Sequence, residues 1–199
     1  MKFSKIISFV FHPIFMPTYA IFLLFAFFPL FSDFMSMSQK KQIIKLIIIF
    51  TFLLPVFSVL ILKKFKVITS IYMKKREERR WPLLFAIGWY YILLRLFDTI
   101  HTHHIIIQLL LGAIFILLLA TIVSSFWKIS LHMLAIGGVT GAFFAIYFLF
   151  GGEISLIIIL LFFAGLVGFA RISEMAHDFK QVYLGFLIGT VTEFLIFLF

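Results

Sequence analysis

Long apolar runs follow one another along most of the chain, broken by short clusters of polar residues. These runs predict membrane spans at 14–32, 42–62, 83–99, 105–125, 132–150, 154–170 and 183–199. Each is close to the roughly 20 residues that a helix needs to cross a bilayer. The third and last are the least regular, because they are short and carry Arg95 with Asp98, and Glu193. The pattern predicts an all-α, polytopic membrane bundle of six or seven transmembrane helices.

Composition supports a membrane protein. The 199 residues are 64% hydrophobic, 20% aromatic and only 13% charged, which is more apolar surface than a soluble core of this size can hide. Since seven spans take up most of the length, we expect one transmembrane domain over residues 1–199. The first run superficially suggests a secretory signal, but His12, Pro13 and Pro17 interrupt it and no cleavage site follows, so we expect a retained helix. The absence of cysteine excludes disulfides and thiolate chemistry.

The basic residues are distributed unevenly between the two ends of the predicted bundle. With seven spans, thirteen of the seventeen lysines and arginines fall with the N-terminus and the loops after spans two, four and six. Three lie at the opposite end, namely Lys40, Lys41 and Lys45, and one lies within a span. The positive-inside rule therefore predicts that the basic end faces the cytoplasm, most simply across a bacterial inner membrane. No soluble domain is left to read nucleic acid.

Three polar clusters fall at this basic end, at residues 74–82, 127–132 and 171–181. Each has an ordinary structural explanation taken alone. The first is a typical topology-setting charge run, the second an interfacial histidine before closely packing glycines, and the third a charged amphipathic connector. Together they bring two histidines and several cations to one membrane face. Such a group can bind a phosphate, attack its phosphorus with one imidazole and protonate the leaving oxygen with the other.

The order and spacing of these residues resemble the type-2 phosphatidic acid phosphatase superfamily, whose motifs are K-x6-R-P, P-S-G-H and S-R-x5-H-x3-D. The third motif matches best, through Arg171 and His177, with Gln181 at the Asp position and Ala170 at the Ser position. The second survives as residues 130–132, Ser-Leu-His. The first is blurred, because Trp81 stands at the Arg position. The resemblance covers about 110 residues.

The resemblance implies a membrane lipid phosphatase that hydrolyses a lipid phosphate or diphosphate through a phosphohistidine, without metal or cofactor. His177 is then the nucleophile, His132 the general acid, and Gln181 the residue that orients His177. The implied phosphate-binding residues are Lys74, Arg79, Arg80, Ser130 and Arg171. A neutral amide at position 181 orients the imidazole but supplies no charge, and Glu174 is an alternative partner. The implied partners are membrane lipid and a phosphorylated lipid substrate; the sequence leaves the oligomeric state open.

Two alternatives come from other classes of protein. One is a catalytically degenerate protein that binds lipid phosphate without turnover. The other is a small transporter whose Arg95, Asp98 and Glu193 line a path through the membrane. An enzyme needs both His132 and His177, whereas a binder needs only the cations. The histidines at 101, 103 and 104 favour an interfacial position over a zinc site, because no carboxylate follows at ligand spacing.

Overall fold

The protein is a bundle of α-helices in the computed structural model, which describes residues 2–70 and 77–199. The helices are α1 (Lys2–Val10), α2 (Met16–Phe27), α3 (Pro29–Ser32), α4 (Met37–Ile48), α5 (Leu54–Lys64), α6 (Arg80–Thr99), α7 (His104–Phe126), α8 (Leu131–Phe150), α9 (Ile154–Ser173) and α10 (Phe179–Leu198). No strand occurs in the described part of the chain.

Six helical segments among the described residues are long and apolar enough to cross a membrane. They are Lys2–Phe27, Met37–Lys64, His104–Phe126, Leu131–Phe150, Ile154–Ser173 and Phe179–Leu198. The predicted all-α membrane bundle of six or seven spans is therefore confirmed. The remaining long helix, α6, corresponds to the predicted span at 83–99 and packs beside α7, but it is not among the six.

The second predicted span contains a change of helical pitch that its sequence explains. Residues Ile49–Leu53 form a π-helical turn between α4 and α5. Pro55 lies two residues after this turn and has no N–H to donate to the Thr51 carbonyl, so the regular hydrogen-bond ladder is interrupted there. The buried Thr51 hydroxyl donates to the carbonyl of Ile47, one turn earlier, at 2.8 Å.

Helices α8 and α10 pack backbone against backbone, because glycines line both contact faces. A Cβ atom at Gly141 would overlap the carbonyl oxygen of Thr190, and one at Gly189 would overlap that of Leu134. The Thr190 hydroxyl also donates to the Gly137 carbonyl across the interface, at 3.1 Å. Small residues let membrane helices approach this closely. The contact holds the beginnings of α8 and α10, where two of the predicted site residues lie, in a defined relation.

Several polar segments meet at one end of the bundle, which we call the polar end. It comprises the segment around Ser8 to His12, the turn Glu77–Arg79 before α6, the loop 127–130 between α7 and α8, and the loop 174–178 between α9 and α10. Hydrogen bonds between these segments show that they are neighbours. The predicted clusters around 127–132 and 171–181 thus lie at the same end of the molecule.

Candidate functional site

His177 lies just before α10, and its orientation is set by that helix. Its Nδ1 is 2.7 Å from Oε1 of Gln181, one helical turn further on. A carbonyl-type oxygen accepts hydrogen bonds, so Nδ1 carries the proton and Nε2 keeps its lone pair. Asp178 does not take part in this contact, since its carboxylate caps α10 by accepting from the backbone N–H of Gln181. The amide at position 181 therefore holds the imidazole in one tautomer.

The surroundings of His177 favour its neutral form. The side chain is buried, and burial lowers the pKa of His177 from 6.5 to about 4, against the opposing effect of the Gln181 hydrogen bond. The positive charges of Arg171, Arg79 and Lys128 lower it further. A buried histidine beside cations loses its proton more readily, because both the low dielectric and the charges disfavour imidazolium. At neutral pH the ring is an uncharged nucleophile with a free Nε2 lone pair.

Arg171, at the end of α9, is held by an ion pair and by a serine from the first helix. Its guanidinium donates to the Glu174 carboxylate at 2.7 Å and to the Ser8 hydroxyl at 3.1 Å. That hydroxyl in turn donates to the other carboxylate oxygen of Glu174, at 3.2 Å. The Nε of Arg171 is buried and has no hydrogen-bond partner among the described residues. Glu174 is thus engaged with Arg171 and Ser8, whereas Gln181 orients His177.

His132, near the beginning of α8, also contacts Ser8. Its Nε2 lies 3.0 Å from the Ser8 carbonyl oxygen, so this nitrogen carries the proton and donates it. The ring of His12 meets that of His132 edge-on, with 5.3 Å between the centroids. His132 also lies within electrostatic range of Arg171 and His177. Ser8 therefore uses its hydroxyl to contact Arg171 and its carbonyl to contact His132.

Two further cations stand beside these groups. Arg79 is buried and donates to the carbonyl of Ile129 at 3.1 Å, which ties the segment before α6 to the loop before α8. Lys128 is partly buried in that loop. Its pKa is lowered by burial and by the nearby positive charges of Arg79 and Arg171, and the pKa of Arg79 is lowered by burial and by Arg171. Because these cations repel one another, an anion that binds between them would be stabilised by their positive charges.

For three of the predicted phosphate-binding residues, the structure gives less direct support for a position at the site. Arg80 is exposed on the first turn of α6, unlike its neighbour Arg79. Lys74 lies outside the described residues. Ser130 precedes α8 but is fully buried, and within the described part of the chain its hydroxyl has no hydrogen-bond partner. Its hydroxyl contributes to phosphate binding only if the loop moves.

Sequence reasoning missed two residues of the site. Ser8 lies in an apolar run whose hydrophobic spacing gives no sign of a role, although Ser4 and Ser8 are the buried residues of α1 while its Phe3 and Phe9 are exposed. Lys128 is four residues before His132 in the second cluster. Its position could have identified it as a phosphate-binding candidate, but it was included only among the basic residues that indicate topology.

Other predicted polar groups lie elsewhere. Arg95 and Asp98 pair with each other at 3.2 Å, as their spacing predicts, but their side chains are 64% and 59% exposed. His103 caps the start of α7 by accepting from the backbone N–H of Ile105. Among residues 2–70 and 77–199, no group of three or more histidine or acidic side chains is placed to hold a metal ion.

The resemblance to a family of known function rests only on the motif residues described above. Comparisons of the chain with family models, curated proteins and solved structures find no match.

Proposed function

We propose that this protein is a membrane lipid phosphatase that cleaves a phosphate or diphosphate monoester of a lipid through a phosphohistidine, without metal. The observation that carries the proposal is the state of His177. A neutral imidazole, fixed by Gln181 so that Nε2 keeps its lone pair, lies within electrostatic range of three cations. This combination suits nucleophilic attack on phosphorus, because the nucleophile is deprotonated and the developing negative charge is neutralised.

The first chemical step forms a bond between Nε2 of His177 and phosphorus, while the bond between phosphorus and the lipid oxygen breaks. The leaving oxygen takes a proton from His132. A bound phosphate monoester brings a charge of about −1.5 to −2, which favours the protonated form of His132 that this step requires. Water then attacks the phosphohistidine, His132 takes a proton from that water, and the phosphorus–nitrogen bond breaks to release inorganic phosphate.

Ser8 marks the position that the substrate would take. Its hydroxyl accepts from Arg171 as a phosphate oxygen would, and its carbonyl accepts from His132 as a leaving oxygen would. Substrate binding then requires the phosphate to displace Ser8 from both groups. The loss of the Ser8 hydrogen bonds is compensated by the attraction between the phosphate and the positive charges of Arg171, Lys128 and Arg79.

A binding protein without turnover is the second candidate, and a specific contact favours it. Glu174 pairs closely with Arg171, which reduces the positive charge available for a transition state. In this alternative the cations hold a lipid phosphate and His177 never becomes phosphorylated. Loss of phosphate release in a His177→Ala variant separates the two, since a binder has no turnover to lose.

The sidedness proposal rests on the distribution of basic residues. In the predicted seven-span topology, thirteen of the seventeen lysines and arginines fall on the same side as Arg79, Lys128 and Arg171, so we place the polar end in the cytoplasm of a bacterial inner membrane. Reporter fusions near residues 70 and 178 should report a cytoplasmic position, and a fusion at residue 199 an external one. The reverse pattern would leave the chemistry intact and move the substrate to the outer leaflet.

The activity is tested with purified protein and a panel of phosphatidic acid, phosphatidylglycerol phosphate and polyprenyl diphosphate. The proposal expects phosphate release from at least one of them, unaffected by chelator and abolished by His177→Ala. His132→Ala should slow the reaction by about 10²–10⁴-fold, the usual contribution of a general acid. Asp178→Asn is the matched control, because Asp178 adjoins His177 but its carboxylate accepts from the backbone N–H of Gln181, a role that an asparagine oxygen can take over. Metal-dependent hydrolysis would rule the mechanism out.

A further inference from the structure

A carboxyl group lies deep in the bundle, far along α10 from the polar end. Glu193 is the fifteenth residue of α10, and only 3% of its surface is exposed. Among the described residues it has no hydrogen-bond or ion-pair partner. An unpaired charge at this depth costs several kcal/mol, so polar groups inside membrane bundles generally serve a ligand or an ion.

The neighbouring helices leave space for this carboxyl. A Cβ atom at Gly112 of α7 would overlap the carboxylate oxygens, and one at Gly138 of α8 would lie 3.9 Å from Oε2. Two glycines from two helices thus face the side chain. Any larger residue at position 112 would force the carboxyl out of its place.

Glu193 adjoins an apolar cavity of about 120 Å³, close to the size of engineered cavities of about 150 Å³ that bind benzene. The residues of α7 that line it lie between Ile106 and Ala120. Tyr90 is the other titratable residue in its lining, and among residues 2–70 and 77–199 no lysine, arginine, histidine or aspartate lines it. The hydroxyl of Tyr90 is hydrogen-bonded to Thr51.

From the cavity and its single carboxyl we infer a second binding site, for a small organic cation such as tetramethylammonium. The cation pairs with the carboxylate of Glu193, and its methyl groups contact the apolar lining of the cavity. A weakly hydrated ammonium suits this position, because it loses little solvation on entering and gains an opposite charge.

Tetramethylammonium binding to the protein in nanodiscs of zwitterionic lipid tests this inference, with empty nanodiscs as the background. Isothermal titration calorimetry at pH 7.5 measures the binding. We expect saturable binding to the wild type and at least tenfold weaker binding to Glu193→Gln. Neopentyl alcohol, which has a similar size and no charge, should bind more weakly than the cation.

Three variants keep the result interpretable. Glu153→Gln changes an exposed carboxyl in the loop before α9 and should bind like the wild type. Glu193→Asp retains the carboxyl, so saturable but weaker binding should persist there even if Glu193→Gln folds poorly. His177→Ala should bind the cation normally, which separates this site from the phosphatase proposal. Equal binding by wild type and Glu193→Gln, or no saturable binding by the wild type, would overturn the inference.

Discussion

The contact between His177 and Gln181 gives the most quantitative prediction. Replacing Gln181 with Glu puts a carboxylate oxygen where the amide oxygen lies 2.7 Å from Nδ1, without changing the side-chain length. An opposite charge at that distance raises a histidine pKa by about 1–3 units. The pKa of His177 should therefore rise from about 4 to between about 5 and 7. At about 1.36 kcal/mol per unit, imidazolium gains roughly 1.4–4 kcal/mol.

Histidine-selective NMR titration of the protein in nanodiscs measures this shift, with His177→Ala identifying the resonance. The same variant should raise turnover at pH 7, because a carboxylate stabilises the positive charge that develops on the phosphorylated ring. Gln181→Asp should help less, since its side chain is one methylene shorter. Gln181→Leu should slow the reaction by about 2- to 10-fold, the equivalent of a neutral hydrogen bond of about 0.5–1.5 kcal/mol.

The reasoning fails if His177 in the wild type titrates near 6.5 and does not respond to Gln181→Glu. It also fails if Glu174→Gln damages activity through the pKa of His177, because Glu174 contacts Arg171 and Ser8 in this structure.

Three other predictions concern packing, the first helix and acid stability. Gly141→Ala should destabilise the protein by about 1–3 kcal/mol in thermal unfolding, because its Cβ overlaps the Thr190 carbonyl, whereas Gly165→Ala, with nothing within 4 Å, should not. Ser8→Ala removes the hydroxyl that competes with phosphate, so KM for a lipid phosphate should fall by about 2- to 10-fold with kcat little changed; a rise in KM would contradict this. His177 has a folded pKa below its unfolded value, so the unfolded state binds the proton more tightly and stability is lost as pH falls from about 6.5 to about 4. The loss reaches up to about 3 kcal/mol and should be absent in His177→Ala.

Hydrophobic pattern was sufficient to predict the bundle, because membrane spans are set by length and apolarity, which are local properties. The glycine spacing at 137 and 141 likewise indicated the face that packs against α10. The interruption of the first run at His12 and Pro13 was also predicted, since proline disrupts a helix locally. The π-helical turn before Pro55 was not predicted, since it depends on how neighbouring turns share hydrogen bonds.

Long-range polar contacts were harder to anticipate. The motif spacing predicted that Gln181 orients His177, and the two side chains are in contact because His177 lies just before α10 and Gln181 lies in its first turn. It gave no indication that Ser8 reaches Arg171 and His132, since these residues are more than 120 positions apart. Nor could it show that Arg79 is buried while Arg80 is exposed, because that depends on the angle at which α6 begins.

Trapping of the phosphoenzyme tests the central claim most directly. Purified protein is incubated with phosphatidic acid carrying a labelled phosphate, quenched in base, and digested for mass spectrometry. Our account predicts an acid-labile, base-stable phosphoryl group on His177 that is absent in His177→Ala and persists in the Asp178→Asn control. Phosphate release by the wild type with no label on His177, or equal release by His177→Ala, would contradict it.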